Sequence, residues 1–545
     1  MGRPSRFFKR LNDSRELAST LHRSGFIAFM RPDKYLRIAA AARREHMAPT
    51  YAFAAAARRC PDRPAVIDER GTLTWRELDE RCDALAAGLQ ALAPNQSQTI
   101  GIMCRNHRGF VEALVAANRA GSDLLLLNTS FAGPALAGVV DREGVDAVIY
   151  DAEFSDTVEH ALAGNPDATR ILADDPLDPG SLTLEILIED HLGQRPRRAA
   201  KKSRTVLLTS GTTGAPKGAK LTSGDANALK AILDRTPWRA EETVVIAAPM
   251  FHAWGYGQLL FAALMACTIV TRRKFDPEAT LQLIDRHRAT GLVVVPVMFD
   301  RIMELPTDVL NRYSCRSLRF ATASGSRMNP DVVIAFMDRF GDVVVNNYNA
   351  TEAGMIASAT PEDLRAAPET AGKPVAGTEL RILDEDLEEL PTTGVGQIFV
   401  RSATLFEGYS SGTTKRFHEG FMASGDLGYL DANGRLFVVG RDDEMIVSGG
   451  ENVYPIEVEK TLLGHPDVAD AAVIGVDDEQ YGQRLAAFVV LNAGTSATPD
   501  VLKQHVRASL ANYKVPRDVV ALHELPRNAT GKIVRSDLYR LLSDR

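Results

Sequence analysis

Leu207-Leu208-Thr209-Ser210-Gly211-Thr212-Thr213-Gly214-Ala215-Pro216-Lys217-Gly218 follows a short β-type run, Thr205 to Leu208, and decides how the rest of the chain is read. Hydroxyls, glycines and one lysine on a tight loop are what a polyphosphate needs: glycines admit backbone N–H groups close to the oxygens, Ser and Thr add donors, and Lys217 adds charge. A Walker loop requires GxxxxGK followed by Ser or Thr. Here Lys217 lies between Pro216 and Gly218, so that pattern fails, and a plain Ser/Gly-rich surface turn is the bland competitor.

Outward from this loop, amphipathic helical stretches such as Trp75 to Leu92 alternate with short apolar runs: Val145 to Tyr150, Thr243 to Ala247, Gly291 to Val297 and Asp342 to Val345. This alternation predicts α/β layering. Past Gly377 the texture becomes strand-like, at Glu379 to Leu383, Gly396 to Val400 and Arg435 to Val439, with a turn at Asp431-Ala-Asn433-Gly434. A final block of roughly a hundred residues carries its own strands, Ala471 to Val476 and Leu485 to Leu491, and has the size of an independent domain. The expected organisation is a basic extension over 1–48, a large α/β domain with a β-rich subdomain over 49–439, and a small mobile α/β domain over 440–545.

Further motifs follow in order: Pro249-Met250-Phe251-His252-Ala253-Trp254-Gly255, Ser324-Gly325-Ser326-Arg327, Asn347-Tyr348-Asn349-Ala350-Thr351-Glu352, Ser424-Gly425-Asp426-Leu427, Gly440-Arg441-Asp442-Asp443, Ser448-Gly449-Gly450-Glu451-Asn452-Val453-Tyr454-Pro455, and Asn528-Ala529-Thr530-Gly531-Lys532. With the opening decapeptide this series resembles the adenylate-forming superfamily, which includes acyl-CoA synthetases, nonribosomal adenylation domains and firefly-type luciferases. The resemblance covers about residues 49 to 545. It implies ATP, Mg²⁺ and coenzyme A as reaction partners, and a carboxylic acid activated as acyl-AMP and passed to the CoA thiol.

The resemblance also distributes roles. Thr209, Ser210, Gly211, Thr212, Thr213, Gly214 and Lys217 would cradle phosphates, with Thr351 beside them and Glu352 as the Mg²⁺ ligand, since a hard cation on phosphate oxygens wants few protein carboxylates. Tyr348 offers a ring for adenine to stack on, flanked by Asn347, Gly325, Ser326 and Arg327. Asn349 is counted with these nucleotide-binding residues; the family usually has Gly where it stands, which implies altered local contacts and not a lost site. Asp426 and Arg441 would hold the ribose. His252 and Trp254 fall near the acyl pocket or pack in the core. Lys532 would neutralise the two anions that meet when carboxylate attacks the α-phosphate. The resemblance further implies that the C-terminal domain rotates about Asp443, bringing Ser448, Gly449, Gly450 and Glu451 toward the thioester-forming site.

Bulk properties bound these readings. With 545 residues, 45% hydrophobic and 24% charged, the chain reads as a multidomain globular protein. A net charge of −7 and the lack of a basic stripe with aromatics argue against a nucleic-acid partner. Five scattered cysteines make no metal-ligand spacing and fit reduced thiols in a cytoplasmic compartment. Residues 1–48 hold eleven basic and four acidic residues, net +7, interspersed with Phe26, Ile27, Tyr35 and Leu36. That mixture fits either an arm packed on its own protein or contact with the anionic inner surface of a membrane. The arm tilts the expected acid toward medium or long fatty acids. An aryl or other small acid, a fatty-acyl-AMP ligase serving a carrier protein, and an inactive nucleotide- or acyl-binding scaffold are the alternatives. Oligomeric state is left open.

Overall fold

The computed structural model describes residues 16–543 apart from 28–29, 47, 94–97, 132, 174–177, 179, 200–202, 210–216, 221–225, 351–352, 403–414, 449–450, 479–481 and 529–530; side chains are further omitted at 209, 217–220, 226–228, 443, 447, 451–452, 482 and 543. Contacts divide the chain into two compact units. One comprises 1–369, 375–377 and 402–414, the other 370–374, 378–401 and 415–545. By this measure the β-rich segment expected to belong with residues 49–439 groups with the C-terminal block.

Two mainly parallel sheets organise the first unit. One runs, in spatial order, Gly354–Ala359, Val344–Ala350, Phe320–Ala323, Gly291–Val294, Thr243–Ile246, Thr268–Val270, Pro64–Asp68 and Gly71–Thr74. The other runs Thr169–Leu172, Ala147–Tyr150, Thr99–Met103, Asp123–Leu126, Thr205–Thr209 and Lys217–Lys220. Inner strands such as Gly291–Val294, Asp123–Leu126 and Ala147–Tyr150 are buried along their whole length, which is why they read as apolar runs and not as alternating ones. The helix Trp75–Leu92 starts where Thr74 and Glu77 form a reciprocal capping box. Gly121, in the left-handed conformation at φ +87°, ends the helix Arg108–Ala120.

The basic extension is docked on this unit. Residues 16–23 are helical, Thr20 Oγ1 donates to Asp234 Oδ1 at 3.1 Å, and Arg59 donates to the carbonyls of Gly25 and Phe26 at 2.8 and 2.9 Å. The helix Pro32–Arg44 leads into Glu45, whose carboxylate meets the buried guanidinium of Arg119 at 2.9 Å; Asp79 and Asp83 hold the rest of Arg119.

The second unit carries two sheets. Thr378–Leu383, Gly396–Ser402, Phe421–Leu430, Phe417–His418 and Leu436–Arg441 form one, with the Asp431–Gly434 turn joining its longest hairpin through Gly434 at φ +72°. Glu451–Val453, Ile446–Ser448, Gly482–Leu491, Val468–Asp478 and Asp518–Leu522 form the other. Apolar clusters cover both faces of that second sheet: Val458, Leu462, Val473, Leu502 and Val506 on one side, Ile474, Phe488 and Leu538 on the other.

Candidate functional site

In the first unit four parallel strands, Thr243–Ile246, Gly291–Val294, Phe320–Ala323 and Val344–Ala350, are successive neighbours. Their C-terminal ends therefore bring His252, Ser324, Gly325 and Tyr348 to one edge. Ligands of open α/β sheets bind beyond the carboxyl ends of the strands.

His252 caps the helix Ala253–Leu264 at the end of a loop that is fixed from outside. Asn106 donates through Nδ2 to the carbonyl of Ala248 at 2.8 Å and accepts at Oδ1 from the Met250 N–H at 2.9 Å. A Cβ on Gly255 would lie 2.1 Å from the Pro249 carbonyl oxygen, so only glycine permits the helix to start against its own loop. Trp254 Nε1 donates to the carbonyl of Val294 at 2.9 Å, tying the helix to the neighbouring strand. Nε2 of His252 is buried without a partner among the described residues, and burial pushes the imidazole down to about 4. It is neutral near pH 7 and offers a hydrogen bond, not a charge.

Gly325 adopts φ +107° with no heavy atom within 4 Å of where a Cβ would stand, leaving open space beside Ser324. Arg327 pairs with Glu369 at 3.6 Å. Asn347, 4% exposed, is engaged by its neighbours: Nδ2 donates to Thr322 Oγ1 at 2.8 Å and Oδ1 accepts from Ser358 Oγ at 3.0 Å. These bonds tie its strand to both neighbouring strands. Asn349 Nδ2 donates to Ser324 Oγ at 3.0 Å.

Thr209 and Lys217 are register partners in an antiparallel pair, so the backbone places the lysine opposite the start of the loop it closes. Ser210, Gly211, Thr212, Thr213, Gly214, Thr351 and Glu352 lie outside the described residues.

In the second unit Asp426 and Arg441 are cross-strand partners 3.6 Å apart. Ser424 Oγ accepts from the Asp426 N–H at 3.1 Å, and Lys415 Nζ donates to the Ser424 carbonyl at 3.2 Å. Lys415 was not singled out by the sequence; it belongs to no motif. Arg441 leads into the turn Asp442–Glu444, which contains Asp443, whose side chain is outside the described set. Ser448 faces Glu451 across a hairpin whose Gly449 and Gly450 are also outside it. Lys532 ends a closed turn: Asn528 Oδ1 accepts from its N–H at 3.0 Å, Asn528 N–H donates to its carbonyl at 2.8 Å, and Arg527 clamps the Gly531 carbonyl at 2.7 Å. The Lys532 side chain is exposed, and among the described residues no carboxylate pairs with it.

Residues 53–410 match the model of the AMP-binding enzyme family, and residues 457–532 match the AMP-binding enzyme C-terminal domain. The chain belongs to the AMP-binding enzyme family. It is 31% identical to the indoleacetate–CoA ligase of Aromatoleum aromaticum over 89% of this chain and 96% of that one. It is likewise 31% identical to the feruloyl-CoA synthase of an Amycolatopsis species over 89% and 97%. Among solved structures, o-succinylbenzoate CoA synthetase from Bacillus subtilis in complex with its acyl-adenylate superposes with a TM-score of 0.75 at 27% identity, covering 89% of this chain and 97% of that one. As an AMP-binding enzyme of this kind, the chain is an AMP-forming acid–CoA ligase using ATP, Mg²⁺ and coenzyme A.

The cysteines are interior residues. All five are buried; burial pushes Cys60 up to about 11 and Cys267 and Cys315 up to about 12, so none of these three is a thiolate at neutral pH. Cys104, His107 and Asp151 cluster closely enough to suggest a metal, but His107 Nδ1 accepts from the Gly109 N–H at 3.1 Å and Nε2 lies 2.7 Å from Asp151 Oδ1. Both ring nitrogens are thereby used, and His107 caps the helix Arg108–Ala120.

Proposed function

We propose that this ligase joins an aromatic carboxylic acid to coenzyme A. The observation that carries this reading is the likeness, over nearly nine-tenths of the chain, to ligases named for indoleacetate and feruloyl substrates. It displaces the tilt toward medium or long fatty acids drawn from the arm. The neutral imidazole of His252 beside apolar Phe251 and Trp254 suits a flat ring better than a second charge.

A carboxylate oxygen of the acid attacks the α-phosphorus and pyrophosphate leaves; the CoA sulfur then attacks the acyl carbon and AMP leaves. Lys217 and the loop before it bind phosphates, and Tyr348 stacks on adenine. Asp426 accepts from the ribose hydroxyls, with Arg441 as its neighbour. When bound, Mg²⁺ would offset the triphosphate charge, with Glu352 as its ligand and Thr351 beside the phosphates. Lys532 neutralises the meeting anions in the first step only; Asp443 is the hinge, and Ser448 to Glu451 line the path of the CoA arm.

The arm adds a peripheral contact with anionic membrane. On the helix Pro32–Arg44, Tyr35, Leu36, Ala39 and Ala40 share one exposed face, with Leu36 73% exposed, flanked by Arg31, Arg37 and Arg43. Among the described residues no helix is long and apolar enough to cross a membrane.

A competitive mixture of aromatic and fatty acids, with ATP, Mg²⁺ and limiting CoA, read by mass as acyl-CoA, tests the reading. Aromatic thioesters should dominate. Dominance of medium- or long-chain acyl-CoA would overturn it.

A further inference from the structure

From the carboxyl edge of the first unit we infer that Asn349 is a specificity-determining residue, whose amide oxygen recognises a hydrogen-bond donor carried on the body of the acid, such as an indole N–H or a phenolic O–H. The inference rests on the aromatic-acid reading above and adds to it which members of that class the site selects.

Two observations define a built acceptor. The amide nitrogen of Asn349 donates to Ser324 Oγ at 3.0 Å, and Ser324 is itself buried, so the amide plane is held and its oxygen turned away from that contact. That oxygen, Oδ1, is buried and has no partner among the described residues. Buried carbonyl oxygens are nearly always paired, and one left unmet is costly in the free protein, so its retention calls for a group that arrives later.

Position says which molecule brings that group. Asn349 stands near the end of Val344–Ala350, next to the end of Phe320–Ala323, which runs into Ser324 and Gly325. The antiparallel register slips between Tyr348 and Asn349, the kind of irregularity that re-aims a side chain. Beside Ser324, Gly325 leaves open space. The unmet oxygen is therefore at the same carboxyl edge as His252. A glycine there would leave an aromatic ring to be read by shape alone. The asparagine adds one polar requirement.

The test uses acid pairs that differ only in the donor: indole-3-acetate against 1-methylindole-3-acetate, and 4-hydroxyphenylacetate against 4-methoxyphenylacetate. Pyrophosphate release by the full chain gives kcat/KM for each. The wild type should favour the donor-bearing member by about tenfold or more. Asn349→Gly should bring the ratio within about twofold by slowing only that member, with KM for ATP unchanged. Ser324→Ala, which frees the amide to turn, should reduce the ratio part-way while thermal melting confirms folding. An unchanged ratio in Asn349→Gly, equal loss on both members, or a raised KM for ATP would each overturn the inference. If no aromatic acid reacts but aliphatic acids do, the aromatic reading fails, and hydroxylated and plain acids of the accepted length decide Asn349 by the same ratio.

Discussion

Asp426 and Arg441 face each other across the hairpin formed by Phe421–Leu430 and Leu436–Arg441, paired residue to residue, with carboxylate and guanidinium 3.6 Å apart. Asp426→Asn keeps the shape and removes the charge. It should lower kcat/KM for ATP on the order of tenfold to a hundredfold, with the KM for the acid little changed. A loss confined to the acid would place Asp426 elsewhere in the reaction.

His252 provides a pH-dependent signature. Its folded-state value of about 4 lies below the ordinary 6.5 because burial disfavours the cation. Between these values the unfolded chain binds a proton that the folded chain does not. Stability should therefore be fully present above about pH 6.5 and fall as pH drops toward 4, by at most about 3 kcal/mol from this residue. Denaturant unfolding of wild type and His252→Gln across that range should show a shallower decline in the variant. Equal slopes would mean the imidazole is solvated.

The exposed face of Pro32–Arg44 yields a prediction separable from catalysis. Leu36→Glu with Arg37→Glu should abolish sedimentation with anionic vesicles at low salt while leaving turnover of a soluble aromatic acid within about twofold, because apolar insertion and basic attraction are both removed. Binding that persists in the double variant would assign the face to something other than a membrane.

Much of the scaffold was legible because its causes are local. The helix over Trp75 to Leu92 is found with those limits, its start marked by Thr74 and Glu77. The strand expected over Gly291 to Val297 ends at Val294, since Pro296 cannot donate to a ladder and instead opens the helix Pro296–Met303. The strand expected to end at Val345 continues to Ala350 through three asparagines, poor strand formers that sequence alone discounts. Asn347 is accommodated there by Thr322 and Ser358, contacts made across the sheet. The motifs supplied the candidate residues, but the loop carrying His252 is held by Asn106, 144 residues from the Met250 amide it accepts. Such a contact leaves no pattern in the local sequence. Likewise Lys415 gains its meaning only from the Ser424 carbonyl it reaches.

The most direct test of the two-step account separates the half-reactions in Lys532→Ala. The turn that presents Lys532 is closed by Asn528 and Arg527 through backbone groups, so the substitution should leave it folded. Acyl-CoA formation from acid, ATP and CoA should slow on the order of a hundredfold or more, the loss expected when one electrostatic stabiliser is removed from a transition state. Formation from synthetic acyl-AMP and CoA should stay near the wild-type rate. Equal slowing in both reactions would contradict the account.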